Sequence, residues 1–219
     1  MKIVDLSWLY SWDEMLVFPG NDPPVFKKDG CVNKGDALEL STIDNFCVHY
    51  GTHLDCSGHM IPNGYYCQDR DPGFWVGKGI VVDCSKYPEG SEIGMDAVEN
   101  VEISDKEFVL FYINWSADRW DTPEQYGKYP VLSLGLANYL RKHPVVRGVA
   151  VESVGIDAVG DKSYRIHKEF LKDHNKTIIE GVTNMDQLLG KDFIFMALPL
   201  NLKDCDGSPT RAVALLMDE

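Results

Sequence analysis

Residues 133–180, SLGLANYLRKHPVVRGVAVESVGIDAVGDKSYRIHKEFLKDHNKTIIE, alternate two helical patterns with two short apolar runs. Ser133 stands at a helix-capping position, and Leu136, Ala137 and Leu140 share one face over 133–142. Over 164–174, His167, Phe170, Leu171 and His174 recur at helical spacing. Residues 146–152 (VRGVAVE) and 177–180 (TIIE) are short and β-branched, as strands buried on both faces are. Similar runs lie further out, at 78–84, 108–113, 193–198 and 212–217. The segment 38–49 reads as a further strand or pair, and 185–189 as a short helix after Asn184. Pro and Gly mark turns at 19–24, 62–64, 72–79 and 206–209. Strands alternating with helices predict an α/β fold with a mixed sheet, and a single domain over 1–219.

Composition narrows the function. Hydrophobic residues are 44% and charged residues 25%, which suits a core-forming globular chain. The formal charge of −13 argues against nucleic acid as a partner, because phosphate binding needs a surplus of Lys and Arg. No apolar run approaches the roughly 18–20 residues of a membrane span, so no membrane partner is expected. The start, Met1-Lys2-Ile3-Val4-Asp5, does not read as a signal peptide. The six cysteines lack C-x-x-C pairing, so reduced thiols and a cytoplasmic location are expected.

The chemistry concentrates in residues 49–59, HYGTHLDCSGH. Three of the chain's six histidines and a carboxylate fall here, and imidazole and carboxylate are common ligands of divalent ions. Neither regular element gathers them. On a strand His49 and Asp55 would lie roughly 20 Å apart. On a helix Asp55 would lie about 200° round from His49 and His53. A bent segment is required, and Gly51 and Gly58 offer the backbone freedom for it. The competing reading is an exposed polar loop. Cys56 could be a thiolate ligand, but its odd offset favours a bystander.

This segment, H-x-G-T-H-x-D-x-x-x-H, resembles the hallmark of the cyclase family of metal-dependent hydrolases, which includes bacterial kynurenine formamidase and isatin hydrolase. Ser57 stands where the family usually has Pro, and Phe18 where kynurenine formamidase has Trp. Further matches follow in order: Phe18-Pro19-Gly20-Asn21, GID at 155–157, His167 with IIEGVTNMDQL at 178–188, and DGSPTRA at 206–212. The resemblance implies a fold similar to the swivelling β/β/α domains. It implies that His49, His53 and Asp55 bind one metal, and that Asp55 bridges to a second completed by His167 and Glu180. It implies His59 as catalytic acid/base and Phe18 as a substrate contact. Zinc or manganese, one or two ions per subunit, and a homodimer or homotetramer are the cofactors and assembly it implies.

On the residues alone, His167 reads as a core histidine on an apolar helix face, and Glu180 as a carboxylate ending a strand; the resemblance makes both ligands. Asp157 either holds a ligand from behind or caps a turn, and is not placed in the site. The D-G-S-P stretch reads as a turn, and Arg211 as either a substrate contact or half of a surface pair. Trp8, Trp12, Phe18, Trp75, Trp115 and Trp120 are candidates for the wall of a pocket suited to a small, aromatic substrate. Three functions follow: arylformamidase-type amide hydrolysis, hydrolysis of a cyclic amide or lactone such as isatin, and non-catalytic metal binding. The last needs neither a proton-transfer histidine nor an organic pocket. No G-x-S-x-G is present to support a serine nucleophile.

Overall fold

The computed structural model describes residues 1–12 and 15–216. Met217, the last residue of the run expected at 212–217, lies outside them. The strands are β1 Lys2–Asp5, β2 Val25–Asp29, β3 Leu40–Asp44, β4 His53–Asp55, β5 Val76–Asp83, β6 Glu92–Ile93 and β7 Phe108–Tyr112. They continue as β8 Val131–Leu132, β9 Gly148–Val151, β10 Thr177–Glu180, β11 Phe193–Met196, β12 Gly207–Pro209 and β13 Val213–Leu216. The α-helices are α1 Leu134–Lys142 and α2 Arg165–Leu171.

The main sheet runs β1-β13-β11-β5-β7-β9-β10-β4-β12. Its middle, β5-β7-β9-β10, is parallel, and antiparallel strands flank it on both sides. This is the mixed α/β sheet that the alternating pattern predicts. Both faces are buried, so β7 has no polar alternation. Val109, Phe111, Val149, Val151 and Ile178 pack with Leu136, Leu140 and Phe170. Phe108, Leu110, Ala150, Ile179 and Leu54 pack on the other face with Trp75 and Phe195.

Several local expectations are corrected. The helix expected over 164–174 is only α2, because Tyr164 and His174 are left-handed, at φ 48° and 58°. His174 therefore lies beyond the helix. The turn expected over 72–79 ends at Trp75, where β5 begins; Phe193 packs across Gly79, which is a close-approach glycine rather than a turn residue. The D-G-S-P turn is instead the edge strand β12, with Pro209 where its missing N–H does least harm. Within 38–49 the structure forms β3, paired with β2 in a separate hairpin. The short helix near 185–189 is a 3-10 turn, Met185–Leu188.

Register positions the site. β4 pairs with β10 so that His53 faces Glu180 and Asp55 faces Ile178. Leu54 points into the core beneath, so His53 and Asp55 share the opposite face with α2. Beyond β4, β12 places Gly207 opposite Asp55.

Candidate active site

The segment 49–59 bends as its chemistry requires. Gly51 turns the chain at φ 63°, β4 carries His53 and Asp55, and Ser57–His59 form a 3-10 turn. Gly58 is not in a left-handed conformation; a side chain there would strike the Tyr66 ring, 2.8 Å from an ideal Cβ. Ser57, in the usual Pro position, is fully buried, and its Oγ accepts the Tyr65 N–H at 2.9 Å. The hydroxyl thus supplies a tie between the two ends of the 57–65 loop that Pro cannot. Thr52, which carries no signal in the sequence, is also buried: its hydroxyl donates to Gly181 O at 2.6 Å and accepts from Trp8 N at 3.0 Å.

Four histidines and four carboxylates converge on this face. Asp55 and Glu180 are buried, at 1% and 4% exposure, and what meets them is imidazole and backbone N–H. His53 donates Nδ1–H to Gly51 O at 2.9 Å, which turns its Nε2 toward Asp55 Oδ1 at 3.6 Å and Glu180 Oε2 at 3.4 Å. His167 is held likewise, with Nδ1 2.7 Å from Asp157 Oδ2 and Nε2 3.0 Å from Glu180 Oε1 and 3.5 Å from Asp55 Oδ2. Fixing one ring nitrogen from behind so that the other faces a cation is how ligating histidines are oriented.

His49 lies between two carboxylates, Nδ1 2.7 Å from Asp55 Oδ1 and Nε2 3.1 Å from Asp206 Oδ2. Asp206 Oδ2 also meets His59 Nδ1 at 2.8 Å, and the His49 and His59 rings are 4.0 Å apart. The expected trio His49, His53 and Asp55 is therefore divided between two donor groups. His49, Asp55 and His59 form one and His53, Asp55 and Glu180 the other, each with its ligand atoms within 4.8 Å. Asp55 belongs to both.

Burial alone would keep these groups neutral, and charge pairing overrides it. Burial opposes the charged form of His49, yet Asp55 and Asp206 push its pKa up to about 11. Burial likewise opposes the charging of His167, but Glu180, Asp157 and Asp55 hold it far above the usual histidine range. Desolvation would raise Asp55, but His59, His49 and His167 hold it well below the usual carboxylate range. Hydrogen bonds from His49 and His59 depress Asp206.

The donors fit a divalent metal. Asp55 Oδ2 is buried without a hydrogen-bond partner among the described residues, an arrangement that is costly unless a cation completes it. Imidazole nitrogen with carboxylate oxygen suits zinc and manganese alike.

The cluster opens onto a cavity of about 430 Å³ bordered by Phe18, Met60, Tyr129 and Tyr164 together with His53 and His59. Phe18 is 40% exposed and meets Tyr126 edge to face. Of the six aromatic candidates Phe18 alone borders this cavity among the described residues. Trp75 and Trp115 are core, and Trp8 stacks on Trp120 at 5.0 Å. A second hollow of about 500 Å³, bordered by Trp8, Trp12 and Arg211, holds none of the clustered histidines.

Asp206 is the participant that local sequence reasoning misses: it sits in the DGSPTRA segment, where Asp, Gly, Ser and Pro together mimic a turn. Asp157 does both things open to it, accepting Ile166 N and His167 N at 3.0 Å each while gripping His167 Nδ1. Arg211 pairs with Asp5 on the surface, its side chain 77% exposed. Cys56 Sγ lies 3.3 Å from Cys67 Sγ in the core.

A family model described as "Putative cyclase" matches residues 4–158. The chain belongs to this family. Among curated relatives it is similar to kynurenine formamidase of Bacillus anthracis, 28% identical over 97% of this chain and 96% of that protein. Kynurenine formamidase of Bacillus mycoides (strain KBAB4) is 26% identical, covering 92% and 91% of the two chains. Among solved structures, isatin hydrolase A from Labrenzia aggregata, bound to benzyl benzoate, superposes with a TM-score of 0.84 at 25% identity, covering 99% of this chain and 94% of that one. This cyclase-family chain is accordingly a metal-dependent hydrolase. No helix among its described residues is long and apolar enough to cross a membrane.

Proposed function

We propose that this hydrolase, a single domain over 1–219, cleaves an aryl formamide, N-formylkynurenine to kynurenine and formate, with His59 as the proton-transfer group. The observation that carries this is the donor cluster centred on the buried Asp55, opening onto an aromatic-bordered cavity that His59 also lines. As the family resemblance implies, His49, His53 and Asp55 would hold one ion and Asp55, His167 and Glu180 a second, zinc or manganese. The structure groups the donors differently, as His49, Asp55 and His59 and as His53, Asp55 and Glu180, and Asp55's place in both groups supports two ions per subunit. When bound, a divalent ion lowers the pKa of water to about 7 and polarises a carbonyl.

This chain's own residues do the rest. His59 is 25% exposed, on the cavity side of the cluster, and its Nδ1 is engaged by Asp206. Nε2 is then the nitrogen that takes a proton from the attacking water and returns it to the leaving aryl nitrogen. Phe18 and Tyr129 offer flat apolar surface to an aromatic ring. The likeness to isatin hydrolase A favours a second reading, opening of a cyclic amide or lactone by the same groups. Either enzyme would work as a cytoplasmic homodimer or homotetramer.

The test is hydrolysis of N-formylkynurenine by protein loaded with Zn²⁺ or Mn²⁺, with a chelated control. Metal-dependent release of kynurenine is expected. His59→Ala should keep its metal and lose at least about 100-fold in turnover. Metal loss in that variant would make His59 a ligand. No turnover by folded, metal-loaded wild type would sink the formamidase reading and leave cyclic amides and lactones.

A further inference from the structure

We infer that Asp206 is the positioning residue for His59, fixing which ring nitrogen carries the proton and aiming the other at the cavity. The inference rests on the reading of His59 as the proton-transfer group. Asp206 reaches the 3-10 turn of His59 twice. Its carbonyl accepts Cys56 N at 2.8 Å, and its Oδ2 meets His59 Nδ1 at 2.8 Å. Backbone and side chain together thus lock the end of β12 to the turn that carries His59.

A carboxylate can only accept, so the Nδ1 of His59 must donate. In the neutral ring that leaves the lone pair on Nε2, where a general base needs it. Without Asp206 nothing in the described contacts of the His59 ring selects that tautomer, and a side chain 25% exposed has room to turn. The same Oδ2 touches His49 Nε2 at 3.1 Å, so one carboxylate oxygen ties together the two rings, which lie 4.0 Å apart and tilted by 34°. A carboxylate behind a histidine elsewhere in this site does the same job for a ligand: Asp157 for His167. Asp206 does it for the proton carrier.

The test uses full-length, metal-loaded protein and the variants Asp206→Asn, Asp206→Glu and Asp206→Asn/His59→Ala. Asp206→Asn should keep its metal content and melting temperature, lose about 100-fold or more in kcat, and change KM by less than about threefold. Asp206→Glu should recover part of the loss. In the His59→Ala background the Asn substitution should cost nothing further, because the two residues act as a unit. An equal loss in both backgrounds, or loss of metal from Asp206→Asn, would overturn the assignment. A readout independent of turnover is the ¹⁵N spectrum of the His59 ring, assigned by difference with His59→Gln. Wild type should show a protonated Nδ1 and a bare Nε2, and Asp206→Asn a mixture or the reverse. An unchanged tautomer would refute the role even if N-formylkynurenine proved not to be a substrate, so the two failures are distinguishable.

Discussion

Asp157 offers a sharp test of how the cluster is held, because its two oxygens do separable things. Oδ1 accepts Ile166 N, capping α2. Oδ2 accepts His167 N and meets His167 Nδ1 at 2.7 Å. Asp157→Asn keeps the size but replaces one oxygen with an NH₂. If the amide oxygen stays toward Ile166, the NH₂ faces two donors; the backbone N–H of His167 loses its acceptor, and the ring relieves its own part of the conflict only by moving its proton to Nε2. That is the nitrogen aimed at Asp55 and Glu180, so the ring is then in the wrong tautomer to ligate. If the amide flips, the cap on Ile166 is lost instead. Loss of such an outer partner typically weakens metal binding 10–100-fold, about 1.4–2.7 kcal/mol. Asp157→Ala adds a lost cap, about 1 kcal/mol, and a buried imidazole N–H without a partner, roughly 1–3 kcal/mol. Competition for Zn²⁺ against a chromophoric chelator measures the first effect, and thermal unfolding of chelated protein the second. Affinity within twofold of wild type in folded Asp157→Asn would refute the tautomer argument. Asp157 would then be a helix cap and nothing more.

Two further outcomes follow from the same geometry. In chelated protein His49 binds its proton more tightly folded, at about 11, than at its ordinary 6.5, so its contribution is complete below pH 6.5 and drains away toward 11. The depressed carboxylates Asp55, Glu180 and Asp157 act oppositely, contributing above about pH 4 and failing as pH falls through their lowered values. Urea midpoints of chelated protein should therefore peak between about pH 4.5 and 6.5, and a rise from pH 6.5 to 9 would contradict the ion-pair network. Gly64→Ala should cost about 1–3 kcal/mol and lower Tm by several degrees, since an ideal Cβ there lies 2.4 Å from both Ser57 C and Gly58 N. The clash displaces the backbone that carries His59, so turnover should fall further than metal content; calorimetry beside a metal assay separates the two.

Six of the nine strands of the main sheet, β5, β7, β9, β10, β11 and β13, were legible as short apolar runs, whereas β1, β4 and β12 are too short and too polar to announce themselves. Helix α1 was legible through Ser133, whose Oγ does accept Leu136 N, at 3.2 Å. Helix α2 was overextended, because Leu171 and His174 keep the spacing while the backbone has already turned left-handed at 174. Periodicity reports which side chains could share a face and is silent on where the backbone stops. Local geometry also settled something stronger in 49–59: a straight strand and a helix were both excluded, so a bend had to exist, and of the two glycines that could supply it Gly51 does, at φ 63°. What no local pattern carries is the partner across a strand pair. His49 and Asp206 are 157 residues apart, and His59 and Asp206 are 147 apart.

That gap has a physical form that makes it recoverable in part. β4 is three residues long, and its neighbours supply partners for what it carries: β10 brings Glu180 to His53, and β12 brings Gly207 to Asp55. An edge strand laid beside the strand of His53 and Asp55 enters or leaves at the ends of that run. The residue just before Gly207 therefore emerges beside Cys56, where the chain bends into the turn of His59, and Asp206 is that residue. Asp-Gly-Ser-Pro looks like a turn because each of these residues has a local reason to be in one. The same residues suit an edge: Pro209 needs no donor there, and Ser208, fully buried, accepts Leu200 N with its hydroxyl. The acidic residue that opens such a stretch is solvated if it is a turn and faces β4 if it is an edge. Which of these holds is decided by pairing with β4, and pairing is decided by Leu54, the apolar residue between His53 and Asp55 that must be buried beneath them.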